Sequence, residues 1–332
     1  MTEITSRREL RPRAPEGAVV KHVRASRDLR RLAFARADGD ASGIYLEELA
    51  TGAPPALVCG EDVPIEGAGF SADGAYVAYV VGSEQPFGRE RTVGWANDAA
   101  EGELGRVGGA AFAWTPKGSL IVADLEQEAL IQYDPLTAVS RVIMPLRDAG
   151  DTALPPRVVV SPKGKRIAVV CRRSEDAVTE VWIAERDGGA IKSSILTQVP
   201  GLDPHVCPFW SPKGLTLGLL IVHPTHAQSA VIAVRQLRGD GEILHERELL
   251  DAPEPPAWAP SSHAIALFTA DGVAGDGEIG PQRLALLHCR TRELRPLAGP
   301  RVPLGSPAFL DGATLLVDGG IAATVLTFDA PP

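Results

Sequence analysis

Asp203, His205, His223 and His226 form the densest group of metal-ligating residue types in the chain, three of its seven histidines beside one carboxylate. Neutral imidazoles with a carboxylate suit zinc or a similar divalent metal. Whether they meet depends on the segment between them, Trp210-Ser211-Pro212-Lys213-Gly214. There proline presets one turn dihedral and glycine accepts the positive φ of a tight reversal. Antiparallel strands about that turn would set residue 205 opposite residues 221 to 223 and bring two or three imidazoles to one rim. Pro204 and Pro224 equally mark loop ends in which histidine is simply tolerated. No cofactor is implied beyond this one candidate metal.

Two further groups carry binding rather than catalytic chemistry. The segment 83–90 holds Phe87 and Arg89, and the Gly- and acid-rich segment 269–282 holds Asp271 and Asp276; long loops on a rigid scaffold are where partners bind. Lys117, Lys163 and Lys213 stand at the same place in three copies of one turn. No Gly-x-Ser-x-Gly elbow, phosphate-binding glycine loop or nucleophile-base spacing is present.

What must position these residues is a repeat. The Ser211 position recurs at Ser26, Ser71, Thr115, Ser161, Ala259 and Leu310, at intervals of 44 to 51 residues. An apolar or aromatic residue precedes all but the first, including Phe70, Trp114, Trp210 and Trp258, which read as packing between units. A turn follows each anchor, then a short apolar run such as Tyr76-Val77-Ala78-Tyr79-Val80, which reads as a buried strand. Four antiparallel strands at this period make one blade of a β-propeller. The expectation is therefore an all-β, seven-bladed β-propeller in a single domain, with blades near 19–60, 66–108, 110–145, 156–199, 205–250, 255–298 and 305–329. The last unit holds three strands, so residues 7–13 are expected to supply its fourth. Arg8-Glu9-Leu10-Arg11-Pro12 repeats Arg292-Glu293-Leu294-Arg295-Pro296, the fourth strand of blade six, letter for letter.

The best copies, Phe70-Ser71-Ala72-Asp73-Gly74 and Trp210-Ser211-Pro212-Lys213-Gly214, resemble the TolB-type propeller repeat, also found in tricorn protease and the propellers of prolyl oligopeptidases. That resemblance implies the fold over essentially the whole chain and leaves function open, because such rings act as scaffolds, gates and enzyme accessories. The usual turn Asp is replaced by lysine at 117, 163 and 213.

In such a ring the Ser-Pro-x-Gly turns lie on one face, here the bottom, and the loops into each innermost strand lie on the top. Lys117, Lys163, Lys165 and Lys213 with Arg27, Arg30, Arg31 and Arg166 then fall at the bottom, where Glu101 and Asp240 oppose them, while Glu61, Asp62, Glu66, Asp148, Asp151, Asp203, Glu254, Asp271, Asp276 and Glu278 fall at the top. A polarised disc on a chain of net charge −9 is the hypothesis. The leading function is a cytoplasmic protein-protein interaction scaffold, monomeric by itself, with no nucleic-acid partner and no membrane insertion. The N-terminal residues lack the apolar core of a secretory signal, and the four cysteines read as buried free thiols. The alternative is a lactonase- or lyase-like enzyme, or a ligand sensor, at the top mouth of the channel, drawing on Asp203, Asp151 and Glu66.

Overall fold

The computed structural model describes residues 3–38, 41–61, 65–82, 91–97, 104–109, 111–146, 156–173, 178–187, 190–199, 205–222, 229–236, 241–248, 255–270, 282–297, 302 and 305–332. The described strands form seven four-stranded antiparallel sheets and no helix. Six sheets run in chain order; the seventh takes Ser306–Phe309, Thr314–Asp318 and Ala323–Phe328 and adds Ile4–Leu10 at its outer edge.

Each turn after an innermost strand is built by one side chain. The Ser26, Ser71, Ser161 and Ser211 hydroxyls each accept the backbone N–H five residues on, at 2.9 to 3.1 Å. Thr115 does the same for Ser119 in a turn one residue shorter. Gly74, Gly118, Gly164 and Gly214 supply the left-handed corner, with φ between 66° and 82°; Leu29 and Ser262 occupy it at some strain.

Side chains alternate across each sheet, so every blade needs a neighbour on both faces. Seven apolar clusters meet that need. Val77 and Tyr79 pack with Ala33 and Ile44, Val169 with Ile121 and Leu130, and Leu217 with Ala168 and Val181. Leu316 and Val325 of the last sheet pack with Val23, Leu32 and Phe34 of the first, which joins the two ends of the chain in the same manner as any other pair.

The strand Ile4–Leu10 pairs with Ala323–Phe328, Arg8 opposite Val325 and Leu10 opposite Ala323. It begins and ends three residues before the expected 7–13. The letter-for-letter pentapeptide is a coincidence of position: Leu294 lies opposite Leu287 at the bottom start of its strand, whereas Leu10 lies at the top end of its own. Arg13 then clamps the incoming segment to blade one, its Nε 2.6 Å from Glu47 Oε1 and its backbone N–H on Glu47 Oε2 at 2.9 Å. Cys59, Cys171 and Cys207 are buried free thiols; Cys289 is partly exposed, and burial still pushes its thiol up to about 11.

Candidate functional site

His205 opens the strand His205–Trp210 and lies opposite Val222, as the turn requires. Asp203, His223 and His226 lie outside the described residues, as do Phe87, Arg89, Asp271 and Asp276. Among the described residues no three His, Cys, Asp or Glu side chains group as metal ligands. His205 itself is held below the usual histidine range, first by burial and then by the charge of Arg157, so its imidazole is neutral at pH 7.

The innermost strands enclose two cavities along the ring's channel. The upper one, about 300 Å³, is lined by Val80, Phe112, Pro156, Arg157, Pro208 and Pro255, with Glu66 at its edge. Glu66 is paired to Arg91 at 2.9 Å. The lower one, about 490 Å³, sits among the bottom turns of blades four to seven, with Phe209, Trp210, Trp258 and Phe309 in its wall and Pro162, Pro212 and Pro260 at its rim, beside Arg27 of blade one.

The bottom face separates two kinds of cation. Arg31 and Arg166 are structural: they donate to the Gly74 and Gly214 carbonyls of the next blade and pair with Glu48 and Glu185 of their own. Arg30 stands 3.7 Å from Asp28. These arginines are neutralised where they stand, and Glu66, the one top-face acid of that set whose side chain is described, is neutralised by Arg91. The polarised disc therefore shrinks to the lysines. Lys117, Lys163 and Lys213 are exposed and have no carboxylate partner among the described residues.

Their position explains them. In blades one and two the same place holds Asp28 and Asp73, each accepting the anchor serine's hydroxyl at 2.6 Å and a backbone N–H at 3.1 Å. Those bonds, the serine's first, hold both carboxyls below the ordinary range. A lysine gives up these bonds and puts a mobile ammonium in water instead. Blades three, four and five, which are consecutive, all make that exchange.

Sequence reasoning missed Asp318. It ends the strand Thr314–Asp318 of the last sheet, accepts the Ala25 N–H at 3.0 Å across the seam to blade one, and feels the charge of Arg24. Only partly exposed and closely surrounded by protein, its carboxyl is raised by burial to about 7, against the opposing pull of Arg24 and the Ala25 N–H. No local signal marks it, because its surroundings come from the opposite end of the chain. Arg157 was missed for the same reason.

No family model matches the chain, and no curated protein does. Solved structures do. An oligogalacturonate lyase in complex with manganese shares 14% identity at a TM-score of 0.58, covering 100% of this chain and 98% of that one. A prolyl endopeptidase shares 12% at 0.56, covering 90% of this chain and 45% of that one. TolB from Acinetobacter baumannii shares 15% at 0.47, covering 97% and 66%. The chain thus spans less than two thirds of the endopeptidase and of TolB. The first two likenesses place it among all-β propellers and say nothing of its chemistry.

Proposed function

We propose that the ring is a cytoplasmic protein-docking module whose bottom face takes an acidic segment of a partner, anchored by an apolar side chain. The observation that carries this is the lysine arc: three consecutive blades set an exposed ammonium where Asp would brace the turn. The lower cavity, apolar and proline-rimmed, opens beside two of those lysines and supplies the anchor's pocket. Prolines suit such a rim because their stiffness leaves little to immobilise on binding. The enzyme alternative rests on less: Glu66 is held by Arg91, and Asp151 and Asp203 lie outside the described residues.

The test uses labelled twelve-residue peptides, Asp/Glu-rich with one central Trp, against a Lys/Arg-rich counterpart. Fluorescence polarisation is expected to show saturable binding of the acidic set alone. The double change Lys163→Asp and Lys213→Asp should weaken it about thirtyfold, since each reversed surface charge is worth on the order of 1 kcal/mol. Equal binding of acidic and basic peptides, or acidic binding untouched by the double change, defeats the reading.

A further inference from the structure

At the other end of the channel Arg157 has no counterion among the described residues. A partly buried guanidinium charge is costly until something pairs with it. The other part-buried arginines near the inner strands each have an acceptor: Arg24 donates to the Ala68 carbonyl, Arg31 and Arg166 to turn carbonyls and glutamates. Arg157 makes no hydrogen bond or ion pair with a described residue, and Glu66, the only carboxylate among the described residues lining its cavity, is bound to Arg91. Nor does the fold require a cation there. The equivalent place in the repeat is His22, Gly67, Ala111, Cys207, Pro255 and Ser306 in the other six blades, none of them an arginine or lysine.

We propose that the upper cavity binds a small organic carboxylate, its charge on Arg157 and its apolar body against Phe112, Val80, Pro156, Pro208 and Pro255. The guanidinium fork matches a carboxylate with two parallel hydrogen bonds. Among the described residues the charge count selects a monoanion: Glu66 cancels Arg91, His205 is neutral, and one positive charge remains. A phosphate monoester would bring a second negative charge toward Glu66 and a hydration shell the phenyl and proline wall cannot replace. The cavity of about 300 Å³ admits a ligand of one ring or a short chain. The two cavities share Val159, Pro208 and Pro255, but Arg157 lines the upper one and not the lower.

Benzoate and its neutral isostere benzamide are the probes, titrated into the intact protein and followed through the Arg157 and Phe112 side-chain NMR signals. Benzoate is expected to shift both saturably, with a Kd on the order of 1 mM for so small a ligand. Benzamide should bind at least tenfold more weakly. Arg157→Gln should abolish the benzoate response, Arg157→Lys should retain it within severalfold, and Lys192→Gln, at an exposed position on the outer strand of the same blade, should bind as the native protein does. Equal binding of the two probes, no saturable response to benzoate, or benzoate binding that survives Arg157→Gln overturns the assignment; the first two readings need no variant to fold.

Discussion

At the scale of single residues, the tryptophans that end innermost strands separate into two kinds. The Trp114 and Trp210 indoles donate to carbonyls of the preceding blade, Gly69 at 3.0 Å and Val159 at 3.2 Å, and so staple one sheet to the next. Trp258 packs on Phe209 with ring centroids 6.0 Å apart, but its Nε1 is buried with no partner among the described residues. An unpaired buried N–H costs about 1–3 kcal/mol, while a made hydrogen bond contributes about 1. Trp210→Phe is therefore expected to lower stability by about 1 kcal/mol more than Trp258→Phe, which should be neutral or stabilising; urea midpoints at fixed m-value decide it. The same reasoning applies to the lysine turns. Lys163→Asp restores the bond that Asp73 makes to Ser71 and should raise stability by about 0.5–1.5 kcal/mol while it weakens acidic-peptide binding. A loss of stability on that change would mean the lysine braces its turn after all.

At the scale of elements, the seam between the last blade and the first has two locks. One is the strand Ile4–Leu10, whose removal exposes the whole edge of Ala323–Phe328. Deleting residues 1–10 should lower the melting temperature and produce oligomers on size-exclusion chromatography, because an open edge pairs with its like. The other lock is Asp318 on the Ala25 N–H. Its folded pKa, about 7, lies well above that of an ordinary aspartate, so the folded state holds this proton more tightly than the unfolded chain. The stability it contributes is complete below about 4 and is lost as pH rises through 7. Asp318→Asn keeps an acceptor for Ala25 and removes the titration. The native protein should lose stability from pH 5.5 to pH 8 relative to this variant, and denaturation curves at the two pH values that stay parallel would show that burial is not what sets this carboxyl.

At the scale of the whole molecule, a net charge of −9 surrounds a short basic arc. A partner segment rich in acid is repelled at long range and attracted only within a Debye length of the lysines, about 8 Å at physiological ionic strength. Raising salt from 20 to 150 mM should therefore alter the association rate less than a uniformly basic receptor would show. From 150 mM to 1 M the equilibrium affinity should fall, as the short-range pairs are screened. Stopped-flow measurements with the acidic peptide would test both; affinity that rises steadily with salt would point to the apolar cavity alone.

What the amino-acid order determined by itself was periodic. Serine, proline and glycine fix each turn through bonds to backbone a few residues away, and alternating apolar strands demand a neighbour on either side, so spacing sufficed to count sheets and to tell inner strands from outer ones. It also marked the lysines, because a repeat exposes the copy that departs from it. The identity of the closing segment was legible, although the pentapeptide that suggested it sits at the wrong end of its strand. Only the tertiary structure decided which charges are spent within the fold. Arg31 and Arg166 are neutralised within their blades and bonded across the seams, Arg157 has no partner among the described residues, and Asp318 is enclosed by residues nearly three hundred positions away. The physical reason is that a side chain's hydrogen-bond partners and solvation are set by whatever the closed ring brings beside it, and those neighbours leave no trace in the local sequence.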